Sequence, residues 1–170
     1  MSCFFLLLYL VYSIDILDPL EIGMSADIDI TIDSNDYNVP VLDISENNLT
    51  ELPDYIHKYT NLKILNCCNN KLTHLDNLPS NIEILECSDN QITNLDNLPI
   101  NLKILHCSDN EIINLDNLPP NLEVLHCHSN KLTELNNLPL NLRILEVPGN
   151  KIKYLDKLPA NLQKLNCCCN

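Results

Sequence analysis

Glycine is nearly absent from this chain: there are two in 170 residues, with no tryptophan and two phenylalanines. A glycine-rich phosphate cradle or a G-x-S-x-G elbow has no sequence to be built from, so no catalytic residue is assigned. Positive charge is scarce as well, ten Lys and Arg against 23 Asp and Glu, for a net charge of −13. Such a surface repels phosphate backbones and anionic lipid, which argues against a nucleic-acid or membrane-surface partner. No apolar run reaches the roughly 20 residues that cross a bilayer. The longest is CFFLLLYLVY at residues 3–12. No pattern for a bound cofactor is present, and no paired C-x₂₋₄-C spacing of a structural zinc site.

The rest of the composition is that of a folded single domain, 45% hydrophobic and 19% charged, at a length inside the usual domain range. Ten prolines, nine cysteines and about 15% asparagine stand out. With so little glycine, the turns must come from a repeated device. Charge divides the chain, because residues 1–57 carry eleven acidic groups and no basic one, whereas residues 58–170 are nearly neutral.

Self-comparison exposes the device. Aligned on Asn61, Asn81, Asn101, Asn121 and Asn141, the blocks NLKILNCCNNKLTHLDNLPS, NIEILECSDNQITNLDNLPI, NLKILHCSDNEIINLDNLPP, NLEVLHCHSNKLTELNNLPL and NLRILEVPGNKIKYLDKLPA keep a strict 20-residue register. NLQKLNCCCN from Asn161 stops halfway, and the segment from Val39 fits the same frame with three extra residues. The consensus is L-x-x-L-x-C-x-x-N-x-L-x-x-L-x-x-L-P. Within it, Leu65 and Cys67 fall on one face at the strand period of two. Twenty residues leave no room for a full helix, so the return path should be extended, bent at Pro79, Pro99, Pro119, Pro139 and Pro159.

This pattern resembles the leucine-rich repeat, and its short Leu-Pro form is most like the repeats of bacterial effector and giant-virus proteins. The resemblance implies a solenoid, α/β by family and mostly β here, with a curved parallel sheet on the concave face and extended or turn segments on the convex face. About six full repeats and a truncated last one would fill residues 39–170, behind an acidic N-terminal segment at 1–38. Asn47, Asn70, Asn90, Asn110, Asn130, Asn150 and Asn170 follow the strand, where a side chain with both donor and acceptor can bridge backbone groups of successive coils; an asparagine ladder is expected. Asn77, Asn97 and Asn117 fit surface turns.

Cys67, Cys87, Cys107, Cys127 and Cys167 share an inward position that Ile44 and Val147 fill in two repeats. Such a column packs as small apolar residues, and an odd total of cysteines suits a reducing compartment. Cys68 and Cys168 alternate to the other face. The run Cys167–Cys169 is either a metal-binding or oxidisable cluster or a weakly constrained terminus. Residues 3–12 fit an N-terminal strand or cap, or a signal-peptide core that lacks a basic lead, in which case Asn48 of Asn48-Leu49-Thr50 becomes a glycan acceptor. Asp27–Asp33 alternates as a half-exposed strand able to shield the first coil. The half coil at the C-terminus offers an uncapped edge for self-association.

Outward strand positions form the candidate working surface. Asp43, Asn66, Glu86, His106, His126, Glu146 and Asn166 make one column; the next holds Ser88, Ser108 and His128, and a third Asp89 and Asp109. The aliphatic column Val41, Ile64, Ile84, Ile104, Val124 and Ile144 is either an exposed apolar ridge or an edge filled by neighbouring coils. His106 and His126 would stand about 5 Å apart on adjacent strands. Because their spacing is only the repeat period, they read as a solvated pair that tunes partner contacts, and no metal is assigned. The expectation is a non-catalytic interaction module in the cytoplasm, own or host, gripping a basic polypeptide through Glu86, Asp89, His106, Asp109, His126, His128 and Glu146. The alternative is a structural or secreted surface protein.

Overall fold

A computed structural model describes residues 37–170. The apolar run at 3–12, the alternating stretch at 27–33 and nearly all of the acidic segment lie outside the described residues. Seven three-residue strands follow one another: β1 (Val41–Asp43), β2 (Ile64–Asn66), β3 (Ile84–Glu86), β4 (Ile104–His106), β5 (Val124–His126), β6 (Ile144–Glu146) and β7 (Lys164–Asn166). They form one sheet in chain order, every pair parallel, with Leu42, Leu65, Leu85, Leu105, Leu125, Leu145 and Leu165 in continuous register. The strict repeat dictates this, since a slip of one residue would turn every leucine out of the core. Leu65, Leu85, Leu105, Leu125 and Leu145 are fully buried, and each contributes about 1.5–3 kcal/mol by leaving water.

Positive φ is supplied almost without glycine. Glu46, Asn69, Asp89, Asp109, Ser129, Gly149 and Cys169, one per coil after the strand, have φ between 52° and 66°. A second site per coil, at Asn77, Asn97, Asn117, Asn137 and Lys157, has φ between 57° and 66°. Short polar side chains hydrogen-bond locally and tolerate this region better than other residues, which is how the coil turns with asparagine and aspartate. The return path has no strand. Leu72, Leu75 and their equivalents in the next three coils point inward, whereas Leu155 is exposed; the five repeat prolines are buried, and the Pro99 carbonyl accepts from Leu102 N–H at 3.0 Å in a turn that recurs in the other coils. In the longer first repeat, Ile56–Lys58 forms a single 3-10 turn. It buries Ile56 and seats Tyr59 against Tyr37 and Tyr55, ring centroids 5.1 and 6.4 Å away, with Lys58 over the Tyr37 ring.

Two asparagine columns stitch the coils together. In the interior one, Asn110 Nδ2 donates to the carbonyls of Cys87 in the preceding coil and of Cys107 and Ser108 in its own, while its Oδ1 accepts from Ile92 N–H at 2.9 Å. Asn70, Asn90, Asn130, Asn150 and Asn170 repeat this pattern. Asn47, in the first described coil, donates to Ser45 of its own turn and contributes its N–H to Asn70 Oδ1. The second column is the one used above only to align the blocks. Asn81, Asn101, Asn121, Asn141 and Asn161 donate to the carbonyls of Thr60, Ser80, Ile100, Pro120 and Leu140, each one coil back, at 2.6–3.1 Å.

Cys67, Cys87, Cys107 and Cys127 are fully buried free thiols packed beside the leucines; Cys167 is half-buried, and Cys168 and Cys169 are exposed. Burial pushes the Cys67, Cys87 and Cys107 thiols far above their ordinary range, so they pack protonated. Ile44 and Val147 fill the same column, at 5% and 0% exposure.

Candidate functional site

Because leucine takes the inward position of each strand, the residue after it faces outward, and the register lines up Asn66, Glu86, His106, His126, Glu146 and Asn166 across β2–β7. The expectation of a solvated histidine pair does not hold: Glu86, His106 and His126 are only 7%, 8% and 9% exposed. The rings of His106 and His126 stack with centroids 4.4 Å apart and planes 1° from parallel. Glu86 Oε1 lies 2.7 Å from His106 Nδ1, and Glu146 Oε2 4.0 Å from His126 Nε2. Glu146 is itself held by Lys164 at 2.7 Å. Its burial favours the neutral acid, but the Lys164 hydrogen bond and the nearby positive groups outweigh that and hold its carboxyl below the ordinary range. Parallel rings send their lone pairs along parallel lines. Among the described residues, no three His, Cys, Asp or Glu side chains converge to hold a metal ion.

The aliphatic column beside this row is buried too, from 0% for Val124 to 8% for Ile144. It forms no exposed ridge. The remaining candidates stand in a more open second group. Asp109 and His128 pair at 3.4 Å with side chains about half exposed, and Asp89 is exposed one coil away. Partial burial and the neighbouring Asp109 raise the Asp89 carboxyl, against the pull of His128. Ser88 and Ser108 tie this edge together, their hydroxyls accepting from the backbone N–H groups of Ser108 and His128.

One further set escaped the sequence reading. The residue before each strand runs Lys63, Glu83, Lys103, Glu123, Arg143, Gln163. Glu83 bridges Lys63 and Lys103 at 2.7 and 2.8 Å, and Arg143 reaches Glu123 at 3.6 Å and Gln163 at 3.2 Å. Although Glu83 is partly desolvated, the two lysines keep its carboxyl below the usual value. Lys63, Glu83, Lys103 and Glu123, with Asn101, Asn121 and Asn141, line a depression of about 320 Å³. The alternation of sign at 20-residue spacing was visible; that the groups are neighbours is known only once the coils stack.

A parallel sheet made of one coil repeated seven times, bridged by asparagine columns and filled by leucine, defines a β-rich solenoid repeat protein. Its fold is that of a leucine-rich repeat solenoid. No family model and no curated protein matches the sequence; the likeness is to solved structures. The chain is similar to a Shigella effector leucine-rich repeat domain, at 33% identity and a TM-score of 0.56, over 76% of this chain and 49% of that one. It is similar also to YopM from Yersinia enterocolitica, at 31% identity and 0.56 over 74% and 36% of the two chains. YopM from Yersinia pestis, a leucine-rich effector protein, matches at 28% identity and 0.60 over 76% and 48%. The chain thus spans about half the length, or less, of the structures it matches. The likeness to effector repeat domains supports a protein-interaction role in general terms. No helix among the described residues is long and apolar enough to cross a membrane.

Proposed function

We propose that this chain is a non-catalytic, effector-like interaction module that holds a polypeptide partner along the concave side of its sheet. The observation that carries this reading is the open edge beside the buried row: Asp89 is exposed, and Asp109 and His128 are about half exposed. These groups are within reach of an arriving chain, while Glu86, His106 and His126 form the covered floor. An acidic edge favours a partner with basic residues, mainly through faster and more selective encounter. Assignment of function to the concave side rests on the fold as much as on the residues.

We place the module in the cytoplasm, its own or a host's. The free thiols of Cys67, Cys87, Cys107 and Cys127 suit a reducing compartment. A cleaved N-terminus, or a glycan on the exposed Asn48, detected by mass spectrometry of protein from its natural source, would move it outside. The binding test is an affinity pull-down with the wild type beside Asp89→Lys/Asp109→Lys. Both substitutions sit on exposed turn residues at positive φ, a conformation that Lys157 also adopts, so the fold should survive at a small cost in backbone strain, which circular dichroism verifies. Proteins recovered by the wild type should be depleted by at least about tenfold with the variant, the effect of two reversed charges worth roughly 1.4 kcal/mol together. Equal recovery would end the concave-side assignment.

A further inference from the structure

Four titratable side chains stand in one row, one from each of β3 to β6: the buried Glu86, His106 and His126, and the partly exposed Glu146. The two imidazoles lie face to face at 4.4 Å. His106 has a carboxylate at 2.7 Å, close but off the hydrogen-bonding direction, so that Glu86 Oε1 and the Nε2 atoms of both histidines are buried without a hydrogen bond. A proton on this pair can be balanced by Glu86. A second proton cannot. It would put two positive rings in contact, and the carboxylate nearest His126, on Glu146, is 4.0 Å away and already engaged by Lys164. The other charged groups around His126 do not repair this: Lys164 adds positive charge, and Asp109 is paired with His128 at 3.4 Å.

We propose that the stacked His106–His126 pair is an acid-sensitive latch, which accepts one proton in the folded sheet and not two, so that mild acid weakens the β4–β5 seam at the centre of the solenoid. Burial first, and then the facing His106 with Lys164 and His128, hold His126 down at about 4 against the opposing pull of Glu146. In the unfolded chain a histidine titrates near 6.5. Between those values the unfolded chain binds a proton that the folded one refuses, so the stability present at neutral pH is lost as the pH falls from about 6.5 towards 4.

The test is urea unfolding of the full chain at pH 8 and pH 5, with His126→Gln and, as a control, His74→Gln on an exposed turn. Over this interval the unfolding constant of the wild type should rise about 30-fold more than that of His126→Gln. His74→Gln should follow the wild type. Imidazole proton NMR of the wild type, which requires no variant to fold, should find one ring of the pair still neutral at pH 5. Equal pH dependence in the wild type and His126→Gln, or two rings of the pair both titrating near 6.5, overturns the latch.

Discussion

A single asparagine can do three different jobs in this protein, and its position in the coil decides which. At Asn110 the side chain satisfies three carbonyls and one amide that are otherwise shut away from water. At Asn121 it makes one exposed bond to the Ile100 carbonyl, and at Asn97 it serves backbone with φ of 60°. Removing the first strands buried polar groups, whereas removing the second lets water replace it. Asn110→Ala should therefore cost about 2–4 kcal/mol in urea unfolding, and Asn121→Ala about 1 kcal/mol or less. Equal losses would mean that the interior column is no more than a set of surface bonds. The interior positions are legible in the sequence, because the repeat motif marks the turn where donor and acceptor are both needed. The edge column is not, since nothing within one coil says that Asn121 and the Ile100 carbonyl, 21 residues apart, will meet.

At the scale of the strand, three residues are enough because each inner strand is locked on both sides by neighbours of the same length and register. Register comes from the alternation of Leu with outward residues, and the charged position preceding the strand reinforces the order of coils. Glu83 sits between Lys63 and Lys103; Glu83→Lys sets a third cation between them. Exposed pairs are each worth about 0.2–1 kcal/mol, so the loss should be about 1–2 kcal/mol at low ionic strength and should largely vanish near 1 M salt, where screening acts within about 3 Å. A salt-independent loss would show that packing, and not charge, sets the value of this position. The seven strands were readable as a period. Their burial on the outward face was not, and it moves Glu86, His106 and His126 from a solvent-facing surface to a covered floor.

For the whole molecule, strand order follows chain order, so each coil pairs only with the coils before and after it. Stability is then close to a sum of coils and seams, and a lesion in the middle can uncouple the two halves. Leu105→Ala, at a fully buried site in β4, should cost about 2–5 kcal/mol and also lower the urea m-value as unfolding loses cooperativity. Leu165→Ala, in the half-buried last strand, should shift the midpoint less and leave the slope nearly unchanged. Identical slopes for both would mean that the solenoid unfolds as one unit.

The near absence of glycine, the 20-residue period and the leucine and cysteine columns were enough on their own to determine a solenoid, because each depends on local rules: alternation, turn chemistry and small apolar volume. What only the stacked coils decided is which residues meet from 20 positions apart. Stacking at strand spacing turned an aligning asparagine into an edge brace, alternating charges into ion pairs, and two histidines expected to be solvated into a buried stack with room for one proton.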